Sequence, residues 1–144
     1  MQREMKPPSP TVSIERLRVA ANEIGRELEV RLIILFGSTA RNEAFTEDID
    51  LAIVSRDELD TVHATNRFIQ VLGVQEVDIA DLRRADPLLM MFVAKDGLPL
   101  YEAESGAFAR FCSLAVRRYA DTRKFRLAER EEVLDFIGRT AERT

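Results

Sequence analysis

The sequence has little of several features that small proteins use for stability or for chemistry. It contains one cysteine, Cys112, one histidine and no tryptophan. A single cysteine excludes an internal disulfide and a cysteine zinc site, so we expect Cys112 to be a small buried apolar residue. No apolar run approaches the roughly 20 residues of a membrane span, and the start lacks the apolar segment of a signal peptide. We therefore expect a cytoplasmic protein without membrane contact.

The chain also lacks an excess of charge of one sign. Charged residues make up 32% of the sequence, yet the net charge is only -4 and the pI is about 5.2. This balance argues against a protein that holds nucleic acid through its overall charge, and we expect no direct nucleic-acid binding. The length of 144 residues and the hydrophobic fraction of 46% fit one compact domain with room for an appendage.

The most informative stretch joins two apolar runs. The run from Leu32 to Phe36 ends at Gly37 and Ser38, and the second run begins around two carboxylates, Asp48 and Asp50. In a strand, Asp48 and Asp50 point the same way, and two adjacent carboxylates repel unless a cation lies between them. Mg²⁺ suits such a pair because it binds carboxylates and keeps positions for substrate phosphates. A glycine and a hydroxyl at a helix start suit a phosphate. Together these features indicate phosphoryl or nucleotidyl transfer.

Each feature alone has an ordinary structural explanation. A lone Gly-Ser is more often a turn, and a lone Asp-x-Asp is commonly a solvated strand end or a helix cap. The combination, in this order and at two strand ends, is much more specific. His63, the sole histidine, lies in the middle of a predicted helix, so we expect it on a helix surface rather than in a catalytic role.

The combination resembles the minimal nucleotidyltransferases of the DNA polymerase beta-like superfamily. Their signature reads Gly-Ser-x-Ala-Arg-Gly, a variable stretch, and Ser-Asp-(Ile/Val)-Asp-Leu. The matching positions are Gly37, Ser38, Ala40, Arg41, Asp48, Ile49, Asp50 and Leu51. Asn42 and Glu47 depart from the usual glycine and serine, and the variable stretch is about one residue shorter than expected.

The resemblance implies an α/β (α+β) fold, a small mixed sheet flanked by helices with a C-terminal helical extension. It also implies a metal-dependent transfer of AMP from ATP, with two Mg²⁺ ions held by aspartates. The triphosphate would lie on Gly37 and Ser38. Arg41 would contact the phosphates or the base, although a surface cation is an equally good interpretation of that residue.

A third carboxylate is expected from the strand that follows. Asp78 lies between Val77 and Ile79, where a buried aspartate needs a partner. In the resembled family the third carboxylate lies on the strand beside the Asp-x-Asp strand, and Asp78 fits that place. Asp81, near the strand end, is the competing candidate.

The remaining pattern predicts the domain organisation. Residues 1–10 contain three prolines and few apolar groups, which indicates a mobile tail. Residues 11–103 form the nucleotidyltransferase domain, and residues 104–144 form the helical extension, a partner or dimer contact. Within the domain we predict elements at about 12–28 (helix), 31–36 (strand), 39–42 (helical turn), 49–54 (strand), 55–72 (helix), 74–82 (strand), 83–96 (helix) and 98–102 (strand). Two separate helices, at about 108–121 and 128–137, follow.

The resemblance also implies a partner. Small stand-alone members are commonly antitoxins that transfer AMP to a tyrosine of a helical HEPN-type ribonuclease toxin, and a softer similarity continues through residues 97–126. Two alternatives stay open: a transferase acting on a small-molecule acceptor, and a non-catalytic antitoxin that acts by binding. Whether the extension meets a toxin in a hetero-oligomer or a second copy in a homodimer is left open.

Overall fold

The computed structural model describes residues 12–37, 44–45 and 49–142, with side chains outside 44–45 and up to Arg139. The tail predicted at residues 1–10 and the helical turn predicted at 39–42 lie outside the described residues. The elements are β1 (Val12–Ser13), α1 (Ile14–Glu27), β2 (Val30–Phe36), β3 (Ala44–Phe45), β4 (Ile49–Ser55), α2 (Thr61–Leu72), β5 (Val77–Asp81), α3 (Pro87–Asp96), β6 (Leu98–Glu102) and α4 (Ala107–Glu142).

Four strands form the mixed sheet that the sequence predicts, in the order β5-β4-β2-β6. Strand β2 pairs antiparallel with β4 and with β6, whereas β4 and β5 are parallel and are joined through α2. Pro99 lies on β6, which is an edge strand. An edge position suits Pro99, since proline has no N–H to donate to a central strand.

Helices α1 and α2 cover one face of the sheet. Leu17 and Ile24 of α1 and Phe68 of α2 are fully buried against the apolar residues of β2 and β4 on that face. The Ser13 side chain caps the start of α1 by accepting a hydrogen bond from the Arg16 N–H at 3.2 Å. Gly73 ends α2 in the left-handed conformation at φ 68°.

An ion pair also ties α1 to α2. The Arg67 guanidinium donates two hydrogen bonds to one oxygen of Glu27, from Nη2 at 2.7 Å and from Nε at 3.0 Å. This hydrogen bonding raises the pKa of Arg67. An exposed ion pair adds little to stability, so the apolar core provides most of the contact between α1 and α2.

Helices α3 and α4 cover the opposite face. Met90 and Val93 of α3 and Phe111 and Ala115 of α4 are buried against Leu32, Ile34 and Ala52 of the sheet. Asp86 caps α3 by accepting the Leu89 N–H at 2.7 Å, and Pro87 occupies the first turn, where its missing N–H costs nothing. Within the part of the chain that the structure describes, none of the helices is both long and apolar enough to cross a membrane.

Several predicted boundaries are wrong. The two C-terminal helices are one continuous helix, α4, because residues 121–127 contain neither glycine nor proline to end it. Helix α2 begins at Thr61, where Asp60 caps it, and not near Ser55. The third strand starts at Val77 rather than at Val74.

The extension predicted at 104–144 and the start of α1 also differ from expectation. The first turns of α4 supply core residues, so the helix is part of the fold before it becomes an extension. Val12 and Ser13 precede α1 as a short strand paired with β3, with Val12 opposite Phe45. Strands of two residues carry no periodicity, so the sequence could not indicate them.

Candidate active site

Two aspartates lie side by side at one end of the sheet. In the parallel pairing of β4 and β5, Asp50 lies opposite Asp78, and adjacent strands are about 4.8 Å apart. Ala52 and Ala80, two residues further along each strand, contact the core on the α3 and α4 face. Because side chains two apart share a face, both carboxylates point to that same face.

The turn that follows β2 brings backbone against the Asp50 carboxylate. Gly37 has φ +84°, a conformation that residues with a side chain rarely adopt. A Cβ built on Gly37 would lie 2.7 Å from Oδ2 of Asp50, closer than van der Waals contact allows. Gly37 therefore combines a left-handed turn with room for the Asp50 carboxylate.

An aromatic pair flanks the carboxylates, and the sequence analysis did not identify it. Phe36 lies opposite Asp50 in the β2–β4 register and contacts Phe92 of α3 edge-on, with ring centroids 6.5 Å apart. Phe92 is 47% exposed although it belongs to an otherwise apolar helix. The sequence held one signal for it. Helix α3 is apolar nearly all round, so an aromatic residue such as Phe92 remains at the surface near the site.

Asp81, the competing third carboxylate, has a local structural role. Its Oδ1 accepts a hydrogen bond from the Arg83 N–H at 3.0 Å and so shapes the turn after β5. By strand alternation Asp81 lies on the face opposite to Asp78. Asp78 is exposed and lies in register with Asp50, so the geometry favours Asp78.

Three predicted site residues, Ser38, Arg41 and Asp48, lie outside the described residues. Among the residues that are described, no group of three or more histidine, cysteine, aspartate or glutamate side chains forms a metal site. The donors the structure does bring together are the carboxylates of Asp50 and Asp78. Two carboxylates on one face fit a divalent cation, because carboxylate oxygens are ligands that such ions bind in proteins.

The other candidates for chemistry lie elsewhere. His63 is exposed on α2, as predicted, and it lines a cavity of about 210 Å³ together with Ser55, at the far end of β4 from Asp50. Cys112 is partly buried against α3, 3.8 Å from the Ala94 carbonyl, and burial raises the pKa of its thiol. A larger cavity of about 440 Å³ also lies at the far end of the sheet, beside Arg31 and Arg56.

Comparison with known families defines the class to which this arrangement belongs. The sequence profile of the family "Polymerase beta, Nucleotidyltransferase" matches residues 20–105, which is more than half of the chain. The chain belongs to this nucleotidyltransferase family. The match spans Gly37, Asp50 and Asp78, so the residues that form the described site lie inside the matched region.

Individual relatives make the similarity more specific. The chain is 25% identical over 123 residues to the protein adenylyltransferase MntA of Aphanizomenon flos-aquae (strain 2012/KM1/D3), covering 76% of this chain and 82% of that protein. It is 26% identical to a chain in the crystal structure of a mutant MntA–HpeT toxin–antitoxin complex, with a TM-score of 0.65 and coverage of 78% and 93%.

A third relative shows the same fold. The structure is that of a tri-AMPylated Shewanella oneidensis HEPN toxin in complex with an MNT antitoxin. It matches at 24% identity with a TM-score of 0.65, covering 84% of this chain and 97% of that chain. The polymerase beta-like fold expected from the sequence is confirmed, including a helical C-terminal part.

Proposed function

We propose that this chain is an antitoxin that transfers AMP from ATP to a tyrosine hydroxyl of a HEPN-type toxin and thereby neutralises it. The observation that carries the proposal is the register of Asp50 with Asp78 beside the Gly37 turn. Membership of the nucleotidyltransferase family supports the reaction class. The relative named as a protein adenylyltransferase and the MntA–HpeT complex support a protein acceptor and the toxin as partner.

The aspartates are the metal-binding groups in this proposal. Asp50 and Asp78, joined by Asp48 from the same sequence motif, would hold Mg²⁺, with two ions as the expected number. Bound there, the ions would supply positive charge to the phosphate oxygens at which the transfer takes place. The fit rests on donor chemistry, because carboxylate oxygens are the ligands that Mg²⁺ prefers.

The neighbouring residues bind and orient the nucleotide. The backbone at Gly37 can approach a phosphate closely because no side chain intervenes, and Ser38 adds a hydroxyl next to it. Arg41 supplies a cation for the phosphates or the base. Asp78, which is exposed, lies near the acceptor. One of its carboxylate oxygens accepts the proton of the acceptor's hydroxyl.

The exposure of Asp78 favours a protein acceptor. A tyrosine on the surface of a partner could reach this carboxylate without entering a pocket. We also propose that this activity takes place in the cytoplasm, where ATP is available.

The reaction class can be tested by following each phosphate of ATP. The chain is incubated with its toxin, Mg²⁺ and ATP that carries radioactive phosphorus at either the α- or the γ-phosphate. Nucleotidyl transfer leaves the α label on the toxin and releases the γ label as pyrophosphate. Labelling of the toxin from the γ-phosphate would show a kinase instead. A stable complex without either label would favour inhibition by binding alone, and label on a small molecule would indicate the other alternative acceptor.

A further inference from the structure

The second half of α4 has no cover in the described structure. Helix α4 runs from Ala107 to Glu142, about 54 Å at 1.5 Å per residue. Its first turns are buried through Phe111 and Ala115. Every described side chain from Leu127 to Arg139 is exposed, so about one half of the helix lies in solvent.

The uncovered half keeps the apolar face of the packed half. Eighteen residues make about five turns of an α-helix, so Val133 and Ile137 occupy the same angular positions as Ala115 and Tyr119. Phe125 lies on the same side. The exposed fractions of Phe125, Val133 and Ile137 are 72%, 57% and 56%. A contiguous apolar face of this size is typical of an interaction surface.

A helix that is surrounded by water has little stability of its own. Most helical stability in proteins comes from packing of the apolar face against something else. Up to Arg126 the helix supplies some of this itself, because the Arg126 guanidinium stacks 3.8 Å above the Tyr119 ring and donates a hydrogen bond to the Tyr119 carbonyl at 3.0 Å. Beyond Arg126 the apolar face is left for a partner.

The charges along the helix indicate which partner fits. Residues 117–126 carry a net charge of +4, whereas residues 127–139 carry a net charge of -2. We call residues 117–126 the basic block and residues 127–139 the acidic block. In a parallel pair of such helices, each block would face the block of the same charge on the other helix. An antiparallel pair places the basic block of one helix against the acidic block of the other, and opposite charges at helix flanks favour that orientation.

We propose that residues 117–139 of α4 pair antiparallel with the same segment of a second copy of this chain. With the two-fold axis near Glu129, Phe125 of one copy lies opposite Val133 of the other, and Arg126 lies opposite Glu132. The contact is isologous, since each copy offers the same surface. Its polar centre makes the association weak, with dissociation in the micromolar range.

The test uses the full chain without toxin or nucleotide, so its outcome is independent of the proposed function. Sedimentation velocity across the micromolar range is expected to show a monomer–dimer equilibrium for the natural sequence. Two variants oppose like charges: Arg123→Glu/Arg126→Glu in the basic block and Glu129→Arg/Glu132→Arg in the acidic block. Each alone is expected to remain monomeric, and an equimolar mixture is expected to recover the dimer.

A matched control exchanges charges on the other side of the helix. Lys124→Glu/Glu131→Lys alters residues that point about 160–180° away from Val133, so the dimer is expected to persist. Circular dichroism checks that all variants retain their helix. A natural chain that stays monomeric, a control that dissociates as the charge variants do, or a mixture that does not recover the dimer would overturn the proposal. A monomer that buries this segment only when toxin is added would assign the surface to the toxin instead.

Discussion

Gly37 has a left-handed backbone and also lies close to the Asp50 carboxylate, and the two effects can be separated experimentally. Replacing it with alanine forces a side chain into a left-handed backbone, which costs about 1–2 kcal/mol, and places a Cβ 2.7 Å from the Asp50 carboxylate. We predict that Gly37→Ala lowers AMP transfer by about 10²-fold, since small displacements of reacting groups have effects of that size. Transfer is measured at saturating ATP beside a thermal unfolding curve.

Gly73→Ala is the matched control for this substitution. Gly73 also has a positive φ, 68°, but no atom lies within 4 Å of a Cβ built there. It should lose about the same stability as Gly37→Ala and retain full activity. Equal loss of activity in the two variants would show that backbone strain alone, and not contact with Asp50, explains the effect.

Neutral substitutions can distinguish Asp78 from Asp81 as the third carboxylate. Asp78→Asn keeps the shape of the side chain but removes its charge beside Asp50, so transfer should fall by roughly 10²–10⁴-fold with unchanged folding. Asp81→Asn should leave transfer nearly unchanged, because Asp81 serves the turn at Arg83. Steady-state transfer rates of the two variants test this prediction. A large loss in Asp81→Asn with little loss in Asp78→Asn would make Asp81 the third carboxylate.

At the scale of elements, α1 and β6 are held at a close approach that sequence did not reveal. A Cβ on Gly25 would lie 2.5 Å from the Tyr101 ring, so Gly25→Ala overpacks this joint. We predict a loss of about 1–3 kcal/mol in the free energy of unfolding, measured by urea denaturation. Gly138→Ala, in an open part of α4, should instead stabilise the protein slightly, because alanine favours helix. Destabilisation by both would argue against a specific contact with Tyr101.

Docking of α4 on α3 can be followed through Cys112. Burial raises the pKa of this thiol, and the reactive species is the thiolate. Alkylation at pH 8 should therefore be roughly tenfold slower in the native protein than in urea. The raised pKa also means that this group contributes stability below its unfolded pKa and that the contribution is lost as pH rises through the folded pKa. Equal alkylation rates in the two states would contradict the docked position.

The features that sequence can predict are those set by local chemistry. Ser13 and Gly73 act as caps, and Pro99 lies on an edge strand, because each depends on only a few neighbouring backbone groups. The helix α4 was divided wrongly because its apolar pattern weakens near residues 121–127. A helix ends at a breaker or a cap, and a lapse in amphipathic character is neither.

At the scale of the whole molecule, the site depends on pairings between distant segments. The sequence predicts Asp50 and Asp78 as partners only through the family resemblance, because strand order is not encoded by local periodicity. The parallel pairing of β4 and β5 brings the two carboxylates together across 28 positions of sequence. The contact of Phe36 with Phe92 has the same origin, which is why it could not be predicted from the pattern of either segment.

The central claim is that this chain modifies a protein by transfer of AMP, and intact-mass spectrometry of the toxin tests it most directly. The cognate HEPN-type toxin is incubated with Mg²⁺ and ATP, and with either this chain or its Asp48→Ala/Asp50→Ala variant. We predict that the mass of the toxin increases by one or more AMP units with this chain and stays unchanged with the variant. An unchanged toxin mass in a stable complex of the two proteins would contradict it and leave inhibition by contact.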